Sequence, residues 1–129
     1  MPIFLVLLLF LSGCSSTVQD VETKLNEYAS AAALNLDLTD FLSGQALRSA
    51  EQSAHLIAEL GLQGFGVSVF SKTSQLSPET FQSCLDVSGT QFRDRSGVIV
   101  ALQRTERQLV EVTYQGERIS ALVLKGTPC

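Results

Sequence analysis

The chain has 129 residues, a formal charge of −4, 45% hydrophobic residues and 17% charged residues. This composition excludes disorder as the main state, and the acidic balance argues against a nucleic-acid binder. The length suits one domain and not two once an N-terminal targeting segment is set aside.

Ile3 to Leu11 reads IFLVLLLFL, an unbroken apolar run. As a helix it spans roughly 14 Å, against about 30 Å of bilayer core, so it does not cross a membrane alone. It matches the apolar region of a secretory signal. Leu11-Ser12-Gly13-Cys14 follows and resembles the lipobox of bacterial lipoproteins. The resemblance implies residues 1–13 as signal peptide, cleavage before Cys14, and a diacylglycerol and a further acyl chain such as palmitate on its thiol and amine. Met1-Pro2 departs from that pattern, because the usual segment there carries Lys or Arg. Two or more acyl chains hold a protein at a membrane stably, whereas one does so only marginally. Residues 14–17 then form a short tether of about 10 to 13 Å. The expected address is the outer face of the cell membrane. By the same resemblance, Ser15 after Cys14 favours the outer membrane where the envelope has one.

Residues 18–129 are expected to form the domain. Val18, Val21, Leu25, Tyr28, Ala29, Ala32 and Leu36 recur at helical steps, with Thr17 at the N-cap position and Asp20 and Glu22 at the positive helix end. A second helix is expected from Gln45 to Leu60, turning Leu47, Ala50, Ala54, Ile57 and Ala58 inward. Ser43 stands at its start and Gly61 where a C′ residue belongs. Beyond Gly61 the pattern turns to strands. Phe65 to Phe70 alternates, as does Thr80 to Val87. Asp94-Arg95-Ser96-Gly97 marks a turn before the apolar run Val98 to Leu102. Leu109 to Tyr114 and Arg118 to Leu124 form a hairpin across Gln115-Gly116-Glu117. Helices grouped before strands predict an α+β fold, two helices packed on a bent antiparallel sheet of four to five strands.

Two cysteines remain besides Cys14. In an exported chain Cys84 and Cys129 are expected to pair, closing a ring of about 46 residues worth about 4 kcal/mol in the chain-entropy account. The alternative is a metal site, but two cysteines and one distant His do not make ligand spacing. No metal or other cofactor is expected.

The order helix–helix–sheet resembles the cystatin-like cone of the nuclear transport factor 2-like superfamily. Cys84-Leu-Asp86-Val-Ser88-Gly, Asp94-Arg-Ser-Gly97 and the closing Cys129 are similar to small actinobacterial lipoproteins of that class. So is Leu42-Ser-Gly44-Gln-Ala-Leu47 before a helix ending at Leu60-Gly61. The resemblance implies a fold more than a function, since most of that family is uncharacterised. Many cone folds carry a Trp near the last strand, and this chain has none.

The candidate chemistry is thin. His55 lies between Glu51 and Glu59 at helical spacing, where a solvated ion pair suffices to explain it. Asp86 shares a strand face with Cys84 and Ser88. Partial burial there would raise its pKa, or give it a partner such as a turn amide, Arg93 or Arg104. Asp37, Asp40 and Asp94 sit in turn-like segments. Arg93, Arg95, Arg104 and Arg107 form either an anion-facing patch or simple pairs with Asp94 and Glu106. Residues 15–64 are acidic and residues 65–129 bear most of the cations.

Two function classes remain open. One is a non-enzymatic lipoprotein module held at the membrane by Cys14, binding an envelope protein, a polymer or a small ligand. The other is a small cone-fold enzyme with Asp86 as acid or base. Homodimerisation through the sheet face is a third reading, drawn from analogy alone.

Overall fold

The structure is a computed structural model and describes residues 17–129. The signal segment, Cys14 and the tether residues before Thr17 lie outside the described residues. Two helices come first, α1 (Val18–Ala33) and α2 (Gly44–Glu59). Seven strands follow: β1 (Gln63–Gly66), β2 (Val69–Gln75), β3 (Thr80–Asp86), β4 (Thr90–Arg93), β5 (Ile99–Val100), β6 (Arg107–Gln115) and β7 (Arg118–Pro128). The fold is α+β, with the helices packed on antiparallel sheet.

Thr17 starts α1 through a capping box. Its hydroxyl accepts from the Asp20 amide, and the Asp20 carboxylate accepts from the Thr17 amide. The helix ends earlier than its apolar periodicity predicts. Asn35 takes a positive φ of 54°, the Leu36 amide turns back to the Ala31 carbonyl, and the Asn35 amide to the Ala32 carbonyl. That is the Schellman arrangement with Asn in the left-handed position. Leu36 is therefore off the helix and exposed. Helix α2 closes in the same way around Gly61, as its sequence predicts, with Leu62 bonding back to Ile57. Ser43 occupies its N-cap position, but its side chain makes no capping bond.

The strands form two sheets instead of one. The larger has the order β2-β3-β6-β7 and the smaller β1-β4-β5. The segment Phe65–Phe70 is not a single strand, because it passes from one sheet to the other. Gly66 makes the corner, with φ at 88° and a backbone approach to Gly89 so close that no Cβ fits. The hairpin β6–β7 turns at Gly116 as expected, pairing Gln115 with Arg118. Val98 to Leu102 does not become a buried strand. Only Ile99 and Val100 pair, with β4, and Val98, Ile99 and Leu102 stay exposed.

The core lies between α1, the start of α2 and the larger sheet. Val21, Leu25 and Ala29 from α1 meet Phe70, Phe81, Val110, Val112 and Ile119, and Leu42 and Ala46 close one end. Leu25 is fully buried, and truncating such a leucine to alanine costs about 2–5 kcal/mol. Cys84 and Cys129 are joined, with their Cα atoms 5.8 Å apart, so the last residue is tied to the middle of the sheet. Core, helix caps, both sheets and the disulfide all lie within residues 17–129, so this segment holds everything needed to fold on its own.

Candidate functional site

The second helix joins the core only through its first half, where Ala46 is buried and Leu47 and Ala50 pack against the core cluster. Of its expected inward residues, Leu47, Ala50 and Ile57 are half-buried, while Ala54 and Ala58 are exposed. Only Ala46 is fully buried. Beyond that first half, its apolar face looks into a cleft of about 1160 Å³ between α2, the last turns of α1, the smaller sheet and the edge of β7. Small side chains on α2 keep this space open, since a methyl group reaches no opposing wall.

The walls differ in chemistry. From the helices come Ala32, Ala33, Ala54, Ile57 and Ala58, with Leu36 beyond the end of α1, and from β7 come Leu122 and Leu124. The smaller sheet and its connections bring polar groups, among them Gln63, Thr90, Gln91 and Arg104. Tyr28 also lines the cleft, and burial pushes its hydroxyl above the usual tyrosine pKa. Among the described lining residues there is no Asp, Glu, His or Cys, and Arg104 is the only charge. Ser49 and Ser53 face the space without a base beside them.

Asp86 stands apart from this cleft, at the end of β3. Its carboxylate accepts from the Ser88 amide at 2.9 Å and lies 3.8 Å from Arg107 Nε. Hydrogen bonding from Ser88, hydroxyl first and amide second, together with the Arg107 charge, holds its pKa below the usual carboxylate value. The shift runs opposite to the raised pKa that a proton-transfer role predicts. The partner is Arg107, not Arg93 or Arg104. An Asx turn of the same kind holds Asp37 to the Thr39 amide, and that bond lowers the Asp37 pKa.

His55 is on the wet face of α2. Its Nε2 lies 3.0 Å from Glu59, and both side chains are more than 60% exposed. The four arginines do not gather into a patch. Arg93 stacks over the Phe65 ring at 4.3 Å, Arg95 lies over Gly61, Arg104 clamps the Val87–Thr90 turn, and Arg107 faces Asp86. Asp94 pairs with no arginine among the described residues. It accepts instead from the Ser96 and Val98 amides and shapes the turn at Gly97. No group of three or more metal-ligating side chains occurs among the described residues.

The cleft was the part of the site that sequence reasoning missed. Its signal is the run of small residues along α2, a pattern that core packing explains equally well.

No protein-family model matches the chain, and no curated protein is similar to it. The crystal structure of the intermembrane space region of the chloroplast protein ARC6 is similar in fold, with a TM-score of 0.56 at 14% sequence identity. The match covers 85% of this chain and 97% of that one. At that identity the likeness concerns the arrangement of helices and strands and no more. No described helix is long and apolar enough to cross a membrane.

Proposed function

We propose that the protein is a lipid-anchored module of the cell envelope, tethered by Cys14, whose domain works by binding an apolar ligand in its cleft and not by catalysis. The observation that carries this reading is the cleft lining. It combines ample apolar surface with a few polar groups, the usual make-up of a ligand site. It also lacks an acid–base pair or an activated nucleophile among the described residues. The enzymatic alternative rested on Asp86, whose carboxylate is outside the cleft and favours its ionised form.

The anchor belongs with this reading on geometric grounds. Thr17 begins α1, and the cleft is walled by residues from Tyr28 onward. At 1.5 Å per residue the two ends lie roughly 17 to 24 Å apart along the helix axis. A tether at Cys14 would therefore attach at the end of α1 opposite the cleft, so the attachment point does not block the cleft.

Membrane fractionation of the intact chain and of Cys14→Ala tests the proposal. The expected result is membrane association and a lipid-sized mass increment on Cys14, both lost in the variant. Equal distribution of the two proteins overturns the anchoring half of the proposal. A cleft that takes up no neutral apolar dye overturns the binding half.

A further inference from the structure

The cleft has one hydrocarbon side and one polar side, and a single positive charge sits on the latter. Arg104 is fixed there by three neutral acceptors. Its Nη1 donates to Thr90 Oγ1 at 3.0 Å, and its Nη2 donates to the Val87 carbonyl at 3.0 Å and to the Thr90 carbonyl. It forms no ion pair among the described residues, and no carboxylate lines the cleft with it. Three of its five N–H groups are engaged, and the Nε–H and one Nη1–H remain, on different sides of the guanidinium, either of which can donate to a further acceptor. Gln91, next to Thr90 on β4, adds a side-chain amide to the same wall.

We propose that the cleft takes a long-chain carboxylate, with its hydrocarbon chain along the alanine-rich helix wall and its charge at Arg104. This rests on reading the cleft as a binding site and adds the ligand class. A peptide is a poorer occupant, because each residue brings a backbone donor and acceptor that need partners. Ala32, Ala33, Ala54, Ile57 and Ala58 offer none from their side chains. A hydrocarbon chain needs none, and its burial is favourable in proportion to its area. The single head charge is met by a pre-positioned guanidinium with no competing anion beside it, and such charge-assisted hydrogen bonds are stronger than neutral ones.

Displacement of the neutral dye Nile red from the domain beginning at Ser15 tests this at neutral pH. Dodecanoate and dodecan-1-ol serve as competitors of equal chain length. Dodecanoate is expected to bind about tenfold more tightly than the alcohol. Arg104→Gln should bring the acid and the alcohol to equal affinity, and Arg104→Lys should retain most of the preference. Because Arg104 also clamps a turn, a third competitor on the wild-type domain provides a second route that needs no substitution. Dodecyltrimethylammonium has the same chain length and the opposite head charge, and should bind about tenfold more weakly than dodecanoate. Equal affinities for acid and alcohol in the wild-type domain overturn the ligand class but leave the cleft as an apolar site. Failure to bind Nile red and both competitors overturns the class and the binding reading together.

Discussion

Asn26 on α1 takes the place of a neighbouring strand for Phe70 on β2. Its Nδ2 donates to the Phe70 carbonyl at 3.0 Å, and its Oδ1 accepts from the Phe70 amide at 2.8 Å. One turn earlier, Glu22 accepts from the Thr73 amide and hydroxyl, and the Thr73 hydroxyl meets Ser83, which is fully buried. The outer edge of β2 is thus met at Phe70 and Thr73 by side chains from a helix. That protects it from pairing with another chain, which is the usual hazard of an open edge.

Replacing Asn26 with Ala should cost about 1–3 kcal/mol, because it strands both backbone groups of Phe70 in a partly buried place. Urea denaturation checks this. Asn26→Asp retains the acceptor for the Phe70 amide but turns a negative oxygen toward the Phe70 carbonyl, so it should not restore stability. A loss within error for Asn26→Ala would mean that the helix does not hold the edge.

The disulfide should matter as much as any single core residue. Cys84 is buried and Cys129 ends the chain, with a sequence separation of 45. Constraint of the unfolded chain is worth about 4 kcal/mol in the entropy account. A Cys84→Ala, Cys129→Ser double variant should melt well below the wild type and lose protection first at the end of β7. Free-thiol titration of the purified domain should find neither cysteine reactive.

Tyr114 and Asp86 should shape the pH profile at opposite ends. The Tyr114 hydroxyl is buried without a partner among the described residues, and burial pushes its pKa up to about 12. Its folded pKa lies above the ordinary value of 10.0, so its contribution is complete below that value and is lost as the pH rises toward 12. Tyr114→Phe should be neutral or up to about 1 kcal/mol stabilising at neutral pH, and should flatten the alkaline fall. Asp86 has its pKa lowered, so its contribution is present above the ordinary value of 3.8 and is lost as the pH falls through the folded value. Asp86→Ala should lower the Tm slightly at neutral pH, and the gap should close in acid. Thermal melts across pH check both. A Tyr114→Phe variant that is clearly less stable at neutral pH would mean the hydroxyl has a partner after all.

Much of the fold was legible because the signals were local. Thr17 with Asp20, and Gly61 after Leu60, are chemical start and stop marks that act within one turn; α1 begins at the first and α2 ends at the second. The hairpin at Gly116 and the turn from Asp94 to Gly97 are local in the same sense. With Cys14 set aside for lipid, Cys84 and Cys129 are the two cysteines left to pair, and they are joined. What escaped was decided over long range. Phe65 to Phe70 alternates as one strand, yet a corner at Gly66 against Gly89 sends its halves to different sheets. Leu36 continues the helical period, but Asn35 ends the helix first. The alanines of α2 carry the same pattern whether they face a core or a cleft, and periodicity cannot separate the two. Asp86 has the alternation of a buried strand residue, but its position at the end of β3 leaves it beside solvent and Ser88.

The central claim is that the cleft is a working apolar binding site. Native mass spectrometry of the domain from Ser15 to Cys129, recovered from the cells that produce it and compared with its denatured mass, tests it most directly. The account predicts a native mass that exceeds the denatured one by a small molecule, released on unfolding and identifiable as an apolar acid. A domain that arrives empty, and stays empty when offered long-chain carboxylates, would contradict it.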